Sequence, residues 1–395
     1  MASRGRKRRQ EPEQGPVPLR GQRLLKPMLK SLQQLHDVGT DRDRAGNRKL
    51  FYDQYVALLL MYFFNPALES LRSLQQTTGW GKTRQKLGIE STSLGSLSEA
   101  ARVFDAELLR PIVQELAAQA TPLHTGREAE ALKGLTAVDG SVFTAMSRMA
   151  WALWTHEDHR GVKLHLHFDV LKAVPLDATV TPAACSETAA LEAALQAARL
   201  YVVDRGYVDY ELFARILAAG SSLIGRVKDN IAYVVDHERP LDDAARAAGV
   251  VRDLVLSRLG TSHHKDHLKR PMRLVIVRIV DREGKATELR LITDRLDLDA
   301  DLVALAYRYR WTVELFFRWL KCILGARHLI AHNRNGVALQ MYAALIVSLL
   351  IALRTDLKPT KRTFEVIQFY LLGWVSDEEF DAHLAARRAA QKKSN

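Results

Sequence analysis

The spacing of polar residues in the segment 307–321, which reads YRYRWTVELFFRWLK, constrains the fold more than any other feature. Four of these residues recur at offsets of 0, 3, 7 and 14: Tyr307, Arg310, Glu314 and Lys321. On a helix of 3.6 residues per turn they fall within roughly 60° of one another. The remaining positions, such as Val313 and Leu315, are mostly apolar and suited to a core. The segment therefore predicts one continuous helix with a polar stripe along an apolar body.

The stripe has two interpretations. It is either a solvated surface with an i,i+4 ion pair between Arg310 and Glu314, or a surface that holds a metal ion at Glu314 and phosphates at its basic members. Lys321 lies seven residues from Glu314, which is roughly 10 Å along the axis and too far for an easy direct pair. We therefore expect Lys321 to serve a ligand, and its loss to leave the stability almost unchanged.

Two upstream segments favour the second interpretation. The runs LTAVDGSVF and LYVVDRGY are short and apolar, and each delivers an aspartate at or near a strand end: Asp139 and Asp204. Such strand ends line the functional crevice of an open α/β sheet. Two aspartates and Glu314 are hard oxygen ligands of the kind that Mg²⁺ or Mn²⁺ prefers. Paired cations about 4 Å apart promote in-line displacement at phosphorus.

These three segments together resemble the signature of the DDE transposases of bacterial insertion sequences. More narrowly, the pattern Tyr-x2-Arg-x3-Glu-x6-Lys is similar to the YREK motif of the IS-four type, and Asp204-Arg-Gly-Tyr matches the residues around that family's second acid. The resemblance covers residues 130 to 355. One departure is that no tryptophan occurs between residues 155 and 310, where some relatives use one to stabilise a flipped base.

The resemblance implies an α/β fold: an RNase H-like catalytic domain with a mainly β insertion, plus an N-terminal all-helical region. It implies Mg²⁺ (or Mn²⁺) held by Asp139, Asp204 and Glu314, and DNA phosphates held by Tyr307, Arg310 and Lys321. The enzyme would cut transposon ends and join their 3′-hydroxyls to target DNA, acting as a homodimer on inverted repeats. Two alternatives stay open: a metal-dependent nuclease without strand transfer, and a non-catalytic DNA-binding protein derived from a transposon.

Charge and composition agree with a polyanionic partner. The net charge is +12, and nucleic acid is the partner that such a balance favours first. The two cysteines, Cys185 and Cys322, predict reduced thiols, and the basic start lacks the apolar region of a signal peptide. We therefore expect a cytoplasmic, nucleoid-associated protein. The apolar run 337–353 contains Gln340 and Ser348, which favours a buried helix over a membrane span.

The chain divides into six predicted parts: a basic disordered tail (1–22), a helical DNA-binding region (23–125), the first part of the RNase H-like domain (126–228), a β-rich insertion (229–300), the final helices of that domain (301–355) and a C-terminal helical tail (356–395). His165 and His167 alternate with apolar residues and are expected on the exposed face of a strand. The histidine-rich segment 263–270 is interpreted as a solvated basic loop near DNA.

Overall fold

The computed structural model describes residues 26–38, 48–146, 148–152, 160–260, 268, 270–280 and 283–394. The predicted basic tail, 1–22, lies outside this part of the chain, and so does most of the segment 263–270. Within it the chain forms a mixed α/β structure around one large sheet. Both cysteines are free thiols, as predicted.

The sheet has nine strands in the order β3-β2-β1-β4-β5-β9-β8-β7-β6. Their bounds are Leu135–Thr144 (β1), Gly161–Asp169 (β2), Val174–Pro182 (β3), Leu200–Val203 (β4), Ser222–Val227 (β5), Tyr233–Glu238 (β6), Val250–Leu259 (β7), Met272–Val280 (β8) and Ala286–Thr293 (β9). β1, β2 and β3 form an antiparallel meander, whereas β4 and β5 run parallel to β1. The apolar strands predicted at 135–139 and 200–204 are therefore direct neighbours.

The strands of the predicted insertion continue the same sheet. From β6 to β9, each strand pairs antiparallel with the next strand along the chain. β9 also pairs antiparallel with β5, where Ile224 lies opposite Thr293. The hairpin of β8 and β9 lies within the segment 229–300, which the sequence predicts to be rich in β-strands. The buried guanidinium of Arg273 forms a bidentate salt bridge with Asp253, in which both N···O distances are 2.7 Å. It also donates a hydrogen bond to the Leu298 carbonyl. These bonds connect the insertion to the chain that leads into the next helix.

Helices surround the sheet and form the N-terminal region. In the described residues they are Leu29–Gln33 (α1), Tyr52–Phe64 (α2), Leu71–Thr77 (α3), Gly81–Leu87 (α4), Leu94–Val103 (α5), Arg110–Gln119 (α6), Arg127–Ala131 (α7), Glu187–Ala193 (α8), Tyr210–Ala218 (α9), Asp243–Ala247 (α10), Ala300–Tyr309 (α11), Trp311–Cys322 (α12), Arg334–Thr355 (α13), Lys361–Leu372 (α14) and Asp377–Ser394 (α15). α3 and α4 are short and are joined by the tight turn 78–80.

Helix α13 is the central element of the larger core. It packs against β3, α2, α5 and α6, so it joins the N-terminal helices to the sheet. Its composition and length would allow it to span a membrane, but 94% of its most apolar window is buried inside the protein. It is thus a buried core helix, as predicted. At its first turn, Asn335 bonds the Ala106 amide and the Phe104 carbonyl across to the N-terminal region.

The predicted exposure of His165 and His167 is wrong. Both side chains are buried, and burial lowers the pKa of each to about 4. His165 bonds Thr181 on β3 at 2.8 Å, so it satisfies one ring nitrogen within the sheet. The alternation of the strand is real, but both of its faces are covered.

Candidate active site

Two neighbouring parallel strands carry the two aspartates to the same level. Ala137 of β1 pairs with Val202 of β4, and Asp139 and Asp204 each lie two residues beyond this pair along the chain. β4 ends at Val203, immediately before Asp204, whereas β1 continues to Thr144. Asp139 therefore lies in the middle of its strand and not at the end, which corrects the sequence interpretation. The edge of β1 becomes open at this point because its neighbour has ended.

Backbone bonds hold both carboxylates at this edge. Asp139 accepts from the Gly140 amide at 2.8 Å, and Asp204 accepts from the Gly206 amide at 2.8 Å as the cap of a short 3-10 turn. Burial raises the pKa of Asp139 to about 6, against the Gly140 bond and the charge of Arg310, which lower it; the charge of Asp204 raises it further. The two aspartates and Arg310 thus share one electrostatic environment.

The polar stripe does not lie on one continuous helix. α11 ends at Tyr309 and α12 begins at Trp311, so the expectation of a single helix over 307–321 is wrong. At the junction, the amide of Arg310 bonds Tyr307 and the amide of Val313 bonds Arg310, which are the shorter i→i+3 bonds of a 3-10 turn. Leu315, expected in the core, is exposed on α12.

Arg310 and Glu314 form the i,i+4 pair that the first interpretation of the stripe predicts. The Arg310 Nη2 lies 2.7 Å from the Glu314 Oε1, and the two side chains are only 12% and 29% exposed. The guanidinium also lies 5.8 Å from the centre of the Tyr307 ring. α12 packs against β1, and the charge of Arg310 is among those that lower the pKa of Asp139 on that strand.

Lys321 has a protein partner that the sequence did not indicate. Its Nζ donates to the Val142 carbonyl of β1 at 2.6 Å and lies 4.7 Å from the centre of the Phe143 ring. Burial lowers the pKa of Lys321, while the charge of Asp139 is among those that raise it. The expectation that Lys321 does not support the fold is therefore corrected: it connects α12 to β1. An ammonium has three N–H donors, so further donors remain for a ligand.

The donor chemistry of the three acids suits a hard divalent cation, but their arrangement is not closed around one. In the part of the chain that the structure describes, no three His, Cys, Asp or Glu side chains are grouped to hold a metal ion. The aspartates lie level with each other, whereas one oxygen of Glu314 is bonded to Arg310. Arg310 thus occupies one of the two carboxylate oxygens of Glu314 in this arrangement.

Two further residues adjoin the site and were not singled out from the sequence. Tyr207, in the turn after Asp204, is buried, and its pKa is raised by burial first and then by the charges of Glu187, Asp139 and Asp204. Glu187, at the start of α8, lies against Gly140. Tyr207 belongs to the motif Asp204-Arg-Gly-Tyr, so the sequence could have indicated that it lies near the site. For Glu187 the sequence shows only an acidic residue at the start of a helix, which does not indicate a place near the site.

The chain from residue 130 to residue 350, more than half of its length, matches the family model described as "Transposase DDE domain". The chain belongs to this family. Membership implies a DNA-cleaving transposase of the DDE type, and enzymes of that type generally use divalent metal ions.

The chain is also similar to individual transposases. It is 25% identical to the probable transposase for insertion sequence element IS5377 of Geobacillus stearothermophilus, over 74% of each chain. It is 28% identical to the putative transposase y4zB of Sinorhizobium fredii, over 62% of this chain and 66% of that one. Among solved structures, it aligns with a piggyBac transposase synaptic complex with hairpin DNA at 9% identity and a TM-score of 0.42, covering 95% of this chain and 86% of the other.

Proposed function

We propose that this transposase cuts the ends of an insertion sequence and joins the resulting 3′-hydroxyl ends to target DNA. The observation that carries the proposal is the level placement of Asp139 and Asp204 on adjacent parallel strands, with Glu314 on the helix packed against the same strand. The strand order β3-β2-β1-β4-β5 further supports an RNase H-like catalytic core, because β2 pairs antiparallel with both β3 and β1, whereas β4 and β5 run parallel to β1. The spacing of Tyr307, Arg310, Glu314 and Lys321 supports assignment to the IS-four type with its YREK motif.

Asp139, Asp204 and Glu314 would hold Mg²⁺ or Mn²⁺. A pair of such ions, when bound, supplies the activated nucleophile and stabilises the leaving oxygen in hydrolysis and in transesterification. Asp139 and Asp204 supply hard oxygens from positions that backbone bonds already fix. Glu314 joins them once Arg310 exchanges its bond to this carboxylate for a DNA phosphate.

The basic residues of the stripe would hold the DNA backbone at the cut. The guanidinium of Arg310 can grip a phosphate with two parallel bonds, and Lys321 can contribute a point charge while it keeps its bond to Val142. Tyr307, beside Arg310, would complete the phosphate contacts. We further propose that residues 23–125 bind the terminal repeats, that the chain acts as a homodimer on DNA, and that it works in the bacterial cytoplasm near the nucleoid.

The test uses the isosteric variants Asp139→Asn, Asp204→Asn and Glu314→Gln with a labelled transposon end. Each variant should lose cleavage while it still retards the same DNA on a gel, because the amide keeps the shape but not the charge that holds the cation. Glu211→Gln, an exposed acid on α9 paired with Arg215, is the matched control and should cleave like the parent. Cleavage at the parental rate by any of the three variants would remove that residue from the site.

A second measurement decides between transposition and simple hydrolysis. A pre-cut end with a free 3′-hydroxyl, incubated with supercoiled target and Mg²⁺, should become covalently joined to the target. Cutting without any joined product would instead assign the chain as a metal-dependent nuclease. Binding without cutting in Mg²⁺ or Mn²⁺ would leave only a DNA-binding protein.

A further inference from the structure

A fourth carboxylate, Glu187, reaches the strand segment that carries Asp139. Glu187 begins α8, and the hydroxyl of Ser186 caps this helix by accepting from the Ala189 amide. The Glu187 side chain lies across the backbone of Gly140: a Cβ at that position would be 2.8 Å from its Oε1, 3.1 Å from its Cδ and 3.2 Å from its Cγ. Only glycine allows the carboxylate to come this close to β1.

Lys163 holds the carboxylate in this place. Its Nζ lies 3.2 Å from the Glu187 Oε1 and donates to the Cys185 carbonyl at 3.3 Å, so it fixes both the side chain and the start of α8. Lys163 is only 13% exposed and Glu187 is 33% exposed. Both residues are better shielded than in most surface ion pairs, and their arrangement is correspondingly defined.

The helices that carry Glu187 and Glu314 contact β1 from opposite faces of the sheet. Side chains alternate along a strand, and Ala137 belongs to the core that includes α12, whereas Val138 belongs to the smaller core that includes Leu191 of α8. Asp139 therefore faces α12, and Gly140 faces α8. The strand edge is open beside the end of β4, so a charge on the α8 face can still act on Asp139.

The electrostatics agree with this geometry. After burial itself, the charges of Asp204 and Glu187 are those that raise the pKa of Asp139. The buried phenol of Tyr207 senses the same group, since Glu187 leads the charges that add to burial in raising its pKa. The carboxylate of Glu187 is thus close enough to influence the two residues that border the open edge.

We propose that Glu187, held by Lys163, is a positioning residue of this site. It fixes the segment Asp139–Gly140 from the α8 face, and its negative charge strengthens cation binding by Asp139 and Asp204. This inference rests on the proposed function. It goes beyond it by adding a fourth acid that acts through Asp139 rather than by touching the cation.

The experiment measures the affinity of the full-length chain for Mn²⁺ by calorimetry, without DNA. Glu187→Gln keeps the shape and can still accept a bond from Lys163, and it should weaken Mn²⁺ binding about fivefold through the loss of one nearby charge. Glu192→Gln is the matched control: it lies on the same helix, is paired with Arg215 and should bind Mn²⁺ like the parent. Parental affinity in Glu187→Gln would overturn the proposal.

Lys163→Gln separates a role in charge from a role in folding. If Glu187 acts by charge, removal of the neighbouring cation should tighten Mn²⁺ binding, so the two variants shift the affinity in opposite directions. If the pair only ties α8 to β2, both variants should weaken binding alike, and the proposal is overturned. Asp139→Asn and Asp204→Asn must each lose Mn²⁺ binding in the same assay; if they retain it, the proposed function fails instead.

Discussion

At the scale of single residues, Asp139 is costly to the fold. Burial raises its pKa to about 6, above the value of about 3.9 in an unfolded chain. Such a group contributes stability below pH 4, where it is neutral in both states, and loses that contribution as the pH rises through 6. The ionised carboxylate of Asp139 at the open edge of β1 therefore lowers the free energy of unfolding at neutral pH.

Replacing Asp139 by Asn should accordingly stabilise the protein in EDTA. At pH 7.5 we expect a gain of about 1–3 kcal/mol in the free energy of unfolding, because the amide avoids the burial of a charge. The gain should shrink as the pH falls through 6 and vanish near pH 4. Thermal melts across this range check it, and a gain that does not change with pH would contradict the assigned cause.

Lys321 combines a structural bond with a proposed contact to DNA, and these two roles can be separated. Lys321→Met keeps the stem and removes the donor to Val142, so we expect a loss of about 1.5–3 kcal/mol, the contribution of a hydrogen bond to a charged group. Cleavage should fall at least tenfold even at a temperature where the variant is fully folded. Arg318→Met, an exposed cation on the same helix, serves as the control for both measurements.

One outcome of the comparison between Lys321→Met and its control would contradict the proposed contact of Lys321 with DNA. If the folded variant cleaves like Arg318→Met, then Lys321 only connects α12 to β1, and the phosphate contact must be abandoned. Arg310→Lys gives a related check, because lysine keeps the charge but lacks the two-pronged geometry. Its cleavage should also be reduced, with little effect on the melting temperature.

At the scale of elements, local sequence patterns predict the strands that carry the aspartates and the histidines, and the buried helix α13. The apolar run 337–353 lies within helix α13, and the runs ending in the two aspartates form neighbouring strands. The break at Arg310 had no local signal, since neither glycine nor proline occurs in 307–321. The two helices differ in their tertiary contacts: α11 packs on β4, β5 and the insertion strands β7, β8 and β9, whereas α12 packs on β1.

The closeness of the two aspartates was predictable from the sequence, whereas the protein partner of Lys321 was not. Asp139 and Asp204 each follow a short apolar run, and the parallel pairing of β1 and β4 then fixes their proximity. The partner of Lys321 is a carbonyl 179 residues away, which no local spacing can reveal. Likewise, alternation identifies the strand of His165 and His167 but cannot tell that both of its faces are covered.

The bond between Arg273 and Asp253 should be the strongest single connection of the insertion. Arg273→Met would leave the carboxylate buried with its main partner gone, which we expect to cost about 3–5 kcal/mol in urea unfolding. The double variant Arg273→Met, Asp253→Leu removes both charges and should recover most of that loss. Equal instability of the single and double variants would mean that shape, not charge, determines the contribution of this pair.

At the scale of the whole molecule, the net charge of +12 should make DNA binding strongly dependent on salt. Each phosphate contact releases counterions, so the logarithm of the affinity should fall by about 0.9 per contact for each logarithmic unit of salt. Residues 1–22 contain six basic and two acidic residues, a net of +4. Their charge alone predicts contacts to phosphate and no reading of sequence.

Deletion of residues 1–22 should therefore weaken binding to a terminal repeat and to unrelated DNA by similar factors. The salt slope should become shallower, by about 3.6 if the net charge of +4 corresponds to four phosphate contacts of about 0.9 each. A full-length variant with the six basic residues changed to Gln keeps the length of the tail and its two acids, so it should weaken both affinities at least as much as the deletion does. Fluorescence anisotropy at several salt concentrations measures both affinities. A loss confined to the terminal repeat would make residues 1–22 a reader of sequence, because an effect of charge cannot distinguish two duplexes of equal length.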